Sequence, residues 1–468
     1  MFSAFMKQWP QYFAAITATL SMMILGTNVG WTSPIIPMLK SPDSPFPVTS
    51  NEAAWITSFL MLGSLPGCIL AALIVDRIGR KASLLVANIP LLVGWILILI
   101  AWHPYVLYVS RFISGIGMGS VYVLCPMYIC EIADKNIRGA LGSFIKLMMT
   151  IGELYGHAIG PYVSYAVLGY SCVIIPIIFF VSFVWMPESP YYLLMQDKRP
   201  DAEKSLRRLR RYSKDEELYE EINEMYKTVI NDMSNRGHFW DLFSTTGNKK
   251  AVLICFGLQF ILQFSGLAAI ESYTQEIMEE AETELSAALA VIILGIFQLA
   301  SGIGAAALAD KAGRKPLLLS TTFLAGVTLT ISGVFCYLKH HQELDMKPYG
   351  YLLVSSVIFY ELIIALGLSP LAYMMLGELF STNVKGIAVC LANLWSCLLA
   401  FVVSKLFQVV SDASGIDVSF AWFALTCFFG IAFIAIYVPE TKGKSLAEIQ
   451  DELNFGKKKP NHVEIIVP

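Results

Sequence analysis

The chain has 468 residues, of which 56% are hydrophobic and only 15% are charged, and its formal net charge is −3. A soluble protein carries about a quarter charged residues, so this composition excludes an ordinary soluble domain. The basic strings are too short and isolated to bind nucleic acid. Apolar runs of about 20 residues recur along the chain, the length at which a helix crosses a bilayer. The sequence therefore predicts an all-α membrane protein with the lipid bilayer as a partner.

The apolar runs predict transmembrane helices in two groups of six, separated by one long polar stretch. That stretch carries Leu206, Leu209, Leu218 and Ile222 at helical spacing, which predicts amphipathic helices at the membrane face. In chain order the twelve predicted spans are 11–32, 54–75, 82–101, 105–129, 140–163, 166–186, 250–273, 285–308, 316–338, 349–374, 384–408 and 418–437.

This pattern divides the chain into four parts. Basic residues set the orientation, because Lys and Arg accumulate in cytoplasmic loops. With both termini in the cytoplasm, 27 of the 33 Lys and Arg residues lie in cytoplasmic segments and three in outer loops. The predicted parts are an N-terminal six-helix bundle over 1–186, a cytoplasmic linker with amphipathic helices over 187–249, a C-terminal six-helix bundle over 250–438 and a cytoplasmic tail over 439–468.

One short charged loop occurs twice. The string Asp76-Arg77-Ile78-Gly79-Arg80-Lys81 returns as Asp310-Lys311-Ala312-Gly313-Arg314-Lys315, 234 residues later and again between apolar runs. A repeat at half the chain length predicts two pseudo-symmetric halves. Each copy is accompanied by an acid and a base seven positions apart, Glu131 with Arg138 and Glu378 with Lys385.

Charged residues at the inner ends of the helices suit a gate, because ion pairs at the interface are partly desolvated and reversible. The alternative is plain positive-inside anchoring, which any membrane protein shows. The second copy, with its own acid–base pair, favours the gate. The predicted gate residues are Asp76, Arg77, Arg80, Lys81, Arg111, Glu131, Arg138, Asp310, Arg314, Lys315, Glu378 and Lys385.

Several signatures together make the chain resemble the sugar-porter family of the major facilitator superfamily over nearly its whole length. Gly30-Trp31-Thr32-Ser33-Pro34 and Asn51-Glu52-Ala53-Ala54-Trp55 resemble the insect branch of facilitated trehalose or hexose transporters. The resemblance implies two six-helix bundles, a central cavity and alternating access. Besides the two loops, the signatures are Arg111-Phe112-Ile113-Ser114-Gly115, Glu131 with Arg138-Gly139, Pro187-Glu188-Ser189-Pro190-Tyr191-Tyr192-Leu193, Gln263-Phe264-Ser265-Gly266 and Pro439-Glu440-Thr441-Lys442-Gly443.

The resemblance also implies where a solute binds. The family's motif of two glutamines and an asparagine in the seventh span keeps one glutamine here, and the other two positions are Leu262 and Ala268. The fifth-span glutamine falls on a lysine, and the tenth-span tryptophan falls on a tyrosine. The candidate binding residues are Gln263, Tyr373, Tyr273, Ser396, Asn28 and Lys146. Structural roles are the alternatives for Tyr273 at the membrane interface, Asn28 between helices and Gln263 in the motif.

Ionisable residues inside predicted spans are rare and usually face a cavity. Lys146 lies about 12 Å from the inner end of its span, and Glu153 is seven residues further on the same helix face. We expect Lys146 to face the cavity and to pair with Glu153 or with an acid of the second half, Glu271 or Glu361. The alternative is that Lys146 snorkels to the cytoplasmic face.

The favoured function is facilitated diffusion of a small polar solute, a hexose or trehalose, through alternating access. Asn28 stands where proton-coupled relatives carry an aspartate, which favours passive transport. The alternative is proton coupling through titration of Glu153, Glu271 or Glu361. The alternatives are a porter for another, charged solute and a non-transporting sugar sensor. The sequence contains no phosphate-binding loop, metal-ligand cluster or nucleophile constellation, so we expect no enzyme activity and no cofactor. No obligate protein partner is evident, and the family implies the plasma membrane.

Overall fold

The structure is a computed structural model that describes residues 2–42, 44, 46–134, 136–210, 215–234, 237–342, 344–444 and 446–455. These residues form helices and short connections, and none of them lies in a β-strand. The first half contains α1 (Phe2–Gly30), α2 (Thr32–Lys40), α3 (Ser50–Ile78), α4 (Arg80–Leu99), α5 (Pro104–Ile132), α6 (Arg138–Ile159) and α7 (Tyr165–Phe183). The segment that follows contains α8 (Pro190–Met195), α9 (Arg199–Leu209) and α10 (Asp215–Ser234).

The second half repeats this layout with two of its membrane crossings divided. Its helices are α11 (Thr246–Phe264), α12 (Leu267–Glu279), α13 (Ala287–Ala312), α14 (Arg314–His341), α15 (Gly350–Leu366), α16 (Leu368–Leu379), α17 (Thr382–Ser414), α18 (Ile416–Tyr437) and, after the last crossing, α19 (Leu446–Phe455).

Ten helical segments of the described residues are long and apolar enough to cross a membrane. The crossing at α6 is not among them, and this helix carries Arg138, Lys146 and Glu153. In α13 the apolar stretch spans 16 described residues, Ala287–Gly302. Together these segments occupy the predicted spans, with helix ends that extend beyond the apolar runs.

Local capping explains why helix ends extend beyond the apolar runs. Helix α3 begins at Ser50, ahead of the predicted start at 54, because Thr49 and Glu52 form a reciprocal cap. The Thr49 hydroxyl accepts from the Glu52 amide at 3.3 Å, and the Glu52 carboxylate accepts from the Thr49 amide at 2.9 Å. Such a cap satisfies backbone donors that have no partner within the helix.

The predicted single spans 250–273 and 349–374 are each two helices. The first break lies at Gly266, whose φ of +95° is costly for residues with a side chain. A Cβ atom there would also lie 2.4 Å from the ring of Phe423. The Tyr360 hydroxyl donates to the Ser265 carbonyl at 3.0 Å and so satisfies a backbone acceptor freed by the break.

The two halves meet along α3 with α17, α6 with α13, and α2 with α12. We call the face that carries the loops at Gly79 and Gly313 the charged face, and the opposite face, which carries Lys40 and Glu276, the acidic face. At the acidic face the halves are joined directly, because the Lys40 ammonium lies 2.8 Å from the Glu276 carboxylate. Lys405 also donates to the Asn51 side chain at 2.7 Å.

The polar segment between the halves folds on itself. Leu206, Leu209, Leu218 and Ile222, the residues at helical spacing, are all buried. Three of them, all except Leu209, form a small apolar cluster with Leu194, Ala202 and Val229 that is separate from the main core. The amphipathic pattern therefore buries its apolar face between helices α8, α9 and α10.

Candidate gate and solute-binding residues

In the first half, the repeated loop brings one arginine into contact with two acids. The Arg80 Nε donates to both oxygens of Glu131, at 3.0 and 2.9 Å, and Nη1 lies 3.2 Å from Asp76. The guanidinium also lies 5.2 Å from the centre of the Tyr192 ring. Arg80 is buried, with 4% of its surface exposed, so the ion pair is shielded from water.

The second half repeats this arrangement. The Arg314 Nε and Nη2 donate to the Glu378 carboxylate at 3.3 and 3.2 Å. The Ser189 hydroxyl donates to Glu131 in the first half, and the Thr441 hydroxyl donates to Glu378 in the second. The side chain of Asp310, which the repeat predicts beside Arg314, lies outside the described residues.

Two further acids, Glu188 and Glu440, complete the clusters. The Glu188 carboxylate accepts from the backbone amides of Arg80 and Lys81 at 3.0 and 2.9 Å. Glu440 accepts from the amides of Arg314 and Lys315, both at 3.0 Å. Each carboxylate therefore caps the first turn of α4 or α14, where free amides and the helix dipole favour negative charge.

These caps explain the glycines of the two loops. Gly79 and Gly313 have φ angles of +97° and +89°, and a Cβ atom on Gly79 would lie 2.4 Å from the Glu188 carboxylate. In the sequence, the Pro-Glu boxes at Glu188 and Glu440 are family signatures whose acids have no predicted role. The sequence signal for these two acids is the repetition of the box. Each box follows the last crossing of its half, and each charged loop precedes a helix.

The other predicted gate residues take less part in these clusters. Lys81 contributes its backbone amide, and the Lys315 ammonium donates to the Ala435 carbonyl at 2.7 Å. Arg77 is exposed, and its carbonyl accepts from the Tyr192 hydroxyl at 3.0 Å. Within the described part of the chain, neither Arg138 nor Lys385 forms an ion pair.

Arg111 lies apart from the charged face, which corrects its place among the gate residues. It sits two turns into α5, at the end that begins on the acidic face, and is 1% exposed. It donates to the Asn28 carbonyl and the Thr32 hydroxyl, both at 2.7 Å. Its guanidinium lies 5.2 Å from the centre of the Trp31 ring. The arginine therefore joins α5 to the end of α1.

Three of the predicted solute-binding residues come together between α11, α16 and α17. The Gln263 amide donates to the Ser396 hydroxyl at 2.9 Å, and the Tyr373 hydroxyl lies 3.5 Å from the same oxygen. Tyr373 is 44% exposed although it lies in the interior of a crossing helix. The Gln263 carbonyl oxygen is buried and has no hydrogen-bond partner among the described residues. The group thus offers an aromatic surface and an unpaired acceptor.

Lys146 belongs to the same region. Its side chain is exposed, and its ammonium is close enough to Glu153, Glu271, Glu361 and Tyr373 to interact with them electrostatically. The lysine comes from the first half, whereas three of these four partners come from the second. Tyr122 on α5 interacts with Tyr373 and Glu271 in the same way. Tyr122 is not among the residues predicted from the sequence, because a tyrosine in an apolar run resembles any core residue.

Asn28 and Tyr273 lie outside this group. The Asn28 side chain donates to the Ile24 carbonyl one turn earlier, at 2.9 Å, and is fully buried. Tyr273 is also fully buried, and its ring packs against Phe407 with 5.2 Å between centres. Neither residue forms a hydrogen bond with Gln263, Ser396 or Tyr373 in the described part of the chain, and their place among the solute-binding residues stays a prediction.

Comparison with known proteins identifies relatives along almost the whole chain. A profile of the sugar (and other) transporter family matches residues 13–453. The facilitated trehalose transporter Tret1 of Bombyx mori is 30% identical over 456 residues, which cover 97% of this chain and 89% of the relative. Tret1 of Aedes aegypti is also 30% identical, over 465 residues, but the match covers 57% of that longer protein.

Solved structures show the same fold. The inward-open xylose transporter XylE from E. coli matches with a TM-score of 0.78 at 22% identity, over 93% of this chain and 98% of that one. The proton:xylose symporter XylE bound to 6-bromo-6-deoxy-D-glucose matches with a TM-score of 0.75 at 21% identity, over 95% and 99%. The prediction of an all-α major facilitator fold is confirmed, and the protein is a multi-pass integral membrane protein.

The cap at α4 predicts a measurable loss of stability. Replacing Glu188 with Ala leaves the amides of Arg80 and Lys81 without their acceptor, and we expect the folded protein to lose about 1–2 kcal/mol. The measurement is thermal unfolding of the detergent-solubilised full chain. Glu216→Ala, at an exposed position on α10, is the matched control. Equal melting temperatures for Glu188→Ala and the control would contradict the capping role.

The matching acid of the second half predicts a pH effect. Burial alone would raise the pKa of Glu440, but four backbone amides donate to its carboxylate and the net effect lowers that pKa. A lowered folded-state pKa gives stability that is present above the ordinary carboxyl pKa and is lost as pH falls through the lowered value. Glu440→Gln should therefore be less stable than wild type at neutral pH, and the difference should shrink at acid pH. A difference that does not change with pH would contradict this.

Proposed function

The chain belongs to the sugar (and other) transporter family, and we propose that it moves trehalose or a hexose across a membrane by facilitated diffusion. The observation that carries the proposal is the group formed by Gln263, Ser396 and Tyr373 on three helices. A sugar gives up hydrogen bonds to water when it binds, so its site needs fixed polar partners beside an apolar or aromatic surface. This group supplies both, and the named relatives from Bombyx mori and Aedes aegypti are trehalose transporters.

The arrangement of open and closed surfaces supports alternating access. At the acidic face Lys40 and Glu276 join the halves, and the Ser33 hydroxyl accepts from the Gln275 amide at 3.0 Å. On α6, Gly139, Ser143 and Lys146 are all exposed and lie about one turn apart. This stripe runs from the charged face to the Lys146 ammonium. Access from one face at a time is the geometry that a carrier needs.

The charged face is proposed to be cytoplasmic, because it carries most of the Lys and Arg residues. Both termini then lie in the cytoplasm, and the parts of the chain are those predicted, 1–186, 187–249, 250–438 and 439–468. The plasma membrane is the proposed location by analogy with the family.

The two arginine clusters are proposed to keep each half rigid while the halves rock. Arg80 and Glu131 join α4 to α5, and Arg314 and Glu378 join α14 to α16, each within one half. Asn28, the neutral residue at the first-helix position, cannot exchange a proton, which supports passive transport. The gate would then open between the halves, and the clusters would move with them.

Transport itself is the direct test. Wild-type protein in liposomes should catalyse counterflow of labelled trehalose or glucose. Gln263→Leu should lower the rate at subsaturating sugar about tenfold, because one amide partner of the sugar and the bond to Ser396 are lost. Gln342→Leu, at an exposed position after α14, is the control and should behave as wild type. No counterflow of either sugar by wild type would contradict the proposed function and favour a sensor.

The closed acidic face gives a second test. Lys40→Met removes the ion pair with Glu276, and the state open at this face should become about two- to fivefold more populated. The measurement is labelling of a Gln275→Cys variant by a membrane-impermeant thiol reagent, with and without Lys40→Met. Lys347→Met, which removes an ion pair inside the second half, is the control. Unchanged labelling would show that the pair does not hold this face closed.

A further inference from the structure

Four ionisable residues lie inside the membrane-spanning helices beside the Gln263, Ser396 and Tyr373 group. They are Lys146 and Glu153 on α6, Glu271 on α12 and Glu361 on α15. Charged side chains at this depth are costly and mark functional positions. The amides that the family uses to bind sugar are absent here, because the two motif positions are Leu262 and Ala268. Other polar groups are therefore needed to bind a sugar.

Two of the four are enclosed by protein. Glu153 and Glu361 are 3% and 2% exposed. The Glu361 carboxylate accepts from the Gln298 amide at 3.0 Å. One oxygen of each acid has no hydrogen-bond partner among the described residues. Both acids interact electrostatically with Lys146.

The other two ionisable residues are accessible to solvent. Lys146 is exposed and Glu271 is partly exposed. Both interact electrostatically with Tyr373, whose ring faces the open space. Lys146 comes from the first half and Glu271 from the second. A solute beside Tyr373 therefore meets the Lys146 ammonium on one half and the Glu271 carboxyl group on the other.

Resting on the proposed function, we propose that Lys146 and Glu271 bind the hydroxyl groups of the sugar and replace the missing amides. A carboxyl group offers several acceptor sites to hydroxyls and an ammonium donates three hydrogen bonds. The bonds that the ammonium donates are charge-assisted and about twice as strong as neutral ones. The buried Gln263 oxygen, which has no partner among the described residues, is a further acceptor that a sugar hydroxyl would satisfy. The combined site has an aromatic platform, an amide, an ammonium and a carboxyl group.

Lys146 and Glu271 also explain how sugar binding can favour closure of the two halves. Closing the halves around an empty site would desolvate Lys146 and Glu271 without giving them new partners. A sugar that bridges them supplies those partners from both sides. Solute binding then stabilises the closed intermediate more than the open states, which is what shifts a conformational equilibrium.

The experiment uses the full chain in liposomes and counterflow of labelled trehalose and glucose. Lys146→Met and Glu271→Leu should each raise the KM about tenfold or more, and Glu271→Gln, which keeps one acceptor, should raise it less. The matched controls are Lys249→Met and Glu279→Gln at exposed positions, and both should keep the wild-type KM. Thermal unfolding of each variant checks that it folds.

Competition by a series of deoxyglucoses separates binding from a structural role. In wild type, removing the hydroxyl that Glu271 binds should weaken competition about tenfold. In Glu271→Leu the same analogue should compete as well as glucose, while analogues that lack other hydroxyls stay weak. A residue that only supports the fold would leave this pattern unchanged.

The outcomes separate the two proposals. If wild type moves sugar and the variants keep its KM and its analogue pattern, this inference is wrong and the proposed function stands. If wild type moves neither sugar but moves labelled glycine betaine or lysine, both are wrong and the site binds a charged solute. If an imposed pH gradient drives sugar uptake and Glu271→Gln abolishes that drive, Glu271 carries a proton and the inference is also wrong.

Discussion

The structure depends on two partly buried clusters, in each of which an arginine and two acids are bonded to each other or to the start of a helix. Arg80 with Glu131 and Glu188, and Arg314 with Glu378 and Glu440, tie the ends of several crossings within one half. Each acid at the helix start also satisfies backbone amides that hydrocarbon could not satisfy. Because the clusters lie within the halves, they leave the boundary between the halves free to change.

That boundary is held by weaker contacts at the acidic face. The Lys40–Glu276 pair is partly exposed, with about a quarter of each side chain accessible, and such pairs contribute little free energy. A carrier needs this difference in strength, since strong contacts inside each half keep its shape and weak contacts between halves let both states be populated. Arg111 belongs to the strong set, because its bonds to Asn28 and Thr32 stay within the first half.

The interior combines neutral polar groups with ionisable ones. Gln263, Ser396 and Tyr373 meet on the second half, while Lys146, Glu153, Glu271 and Glu361 are ionisable residues that a purely amide-lined site lacks. Lys146 of the first half interacts electrostatically with Glu153 of the same half and with Glu271 and Glu361 of the second half. The interior is therefore a polar site that combines a lysine of one half with acids of both halves.

The sequence by itself determined the twelve crossings, the repeat and the membrane class, because each depends on composition and spacing that are local in the chain. The loops at Gly79 and Gly313 could be matched for the same reason. Tertiary structure decided which partners meet. Glu188 caps a helix 108 residues away. Arg111 donates to the Asn28 carbonyl at the end of α1, and the Asn28 side chain donates to the Ile24 carbonyl. The crossings at Gly266 and Gly367 break where Phe423 and Thr321 approach the backbone. Such contacts join distant segments, so no local pattern encodes them.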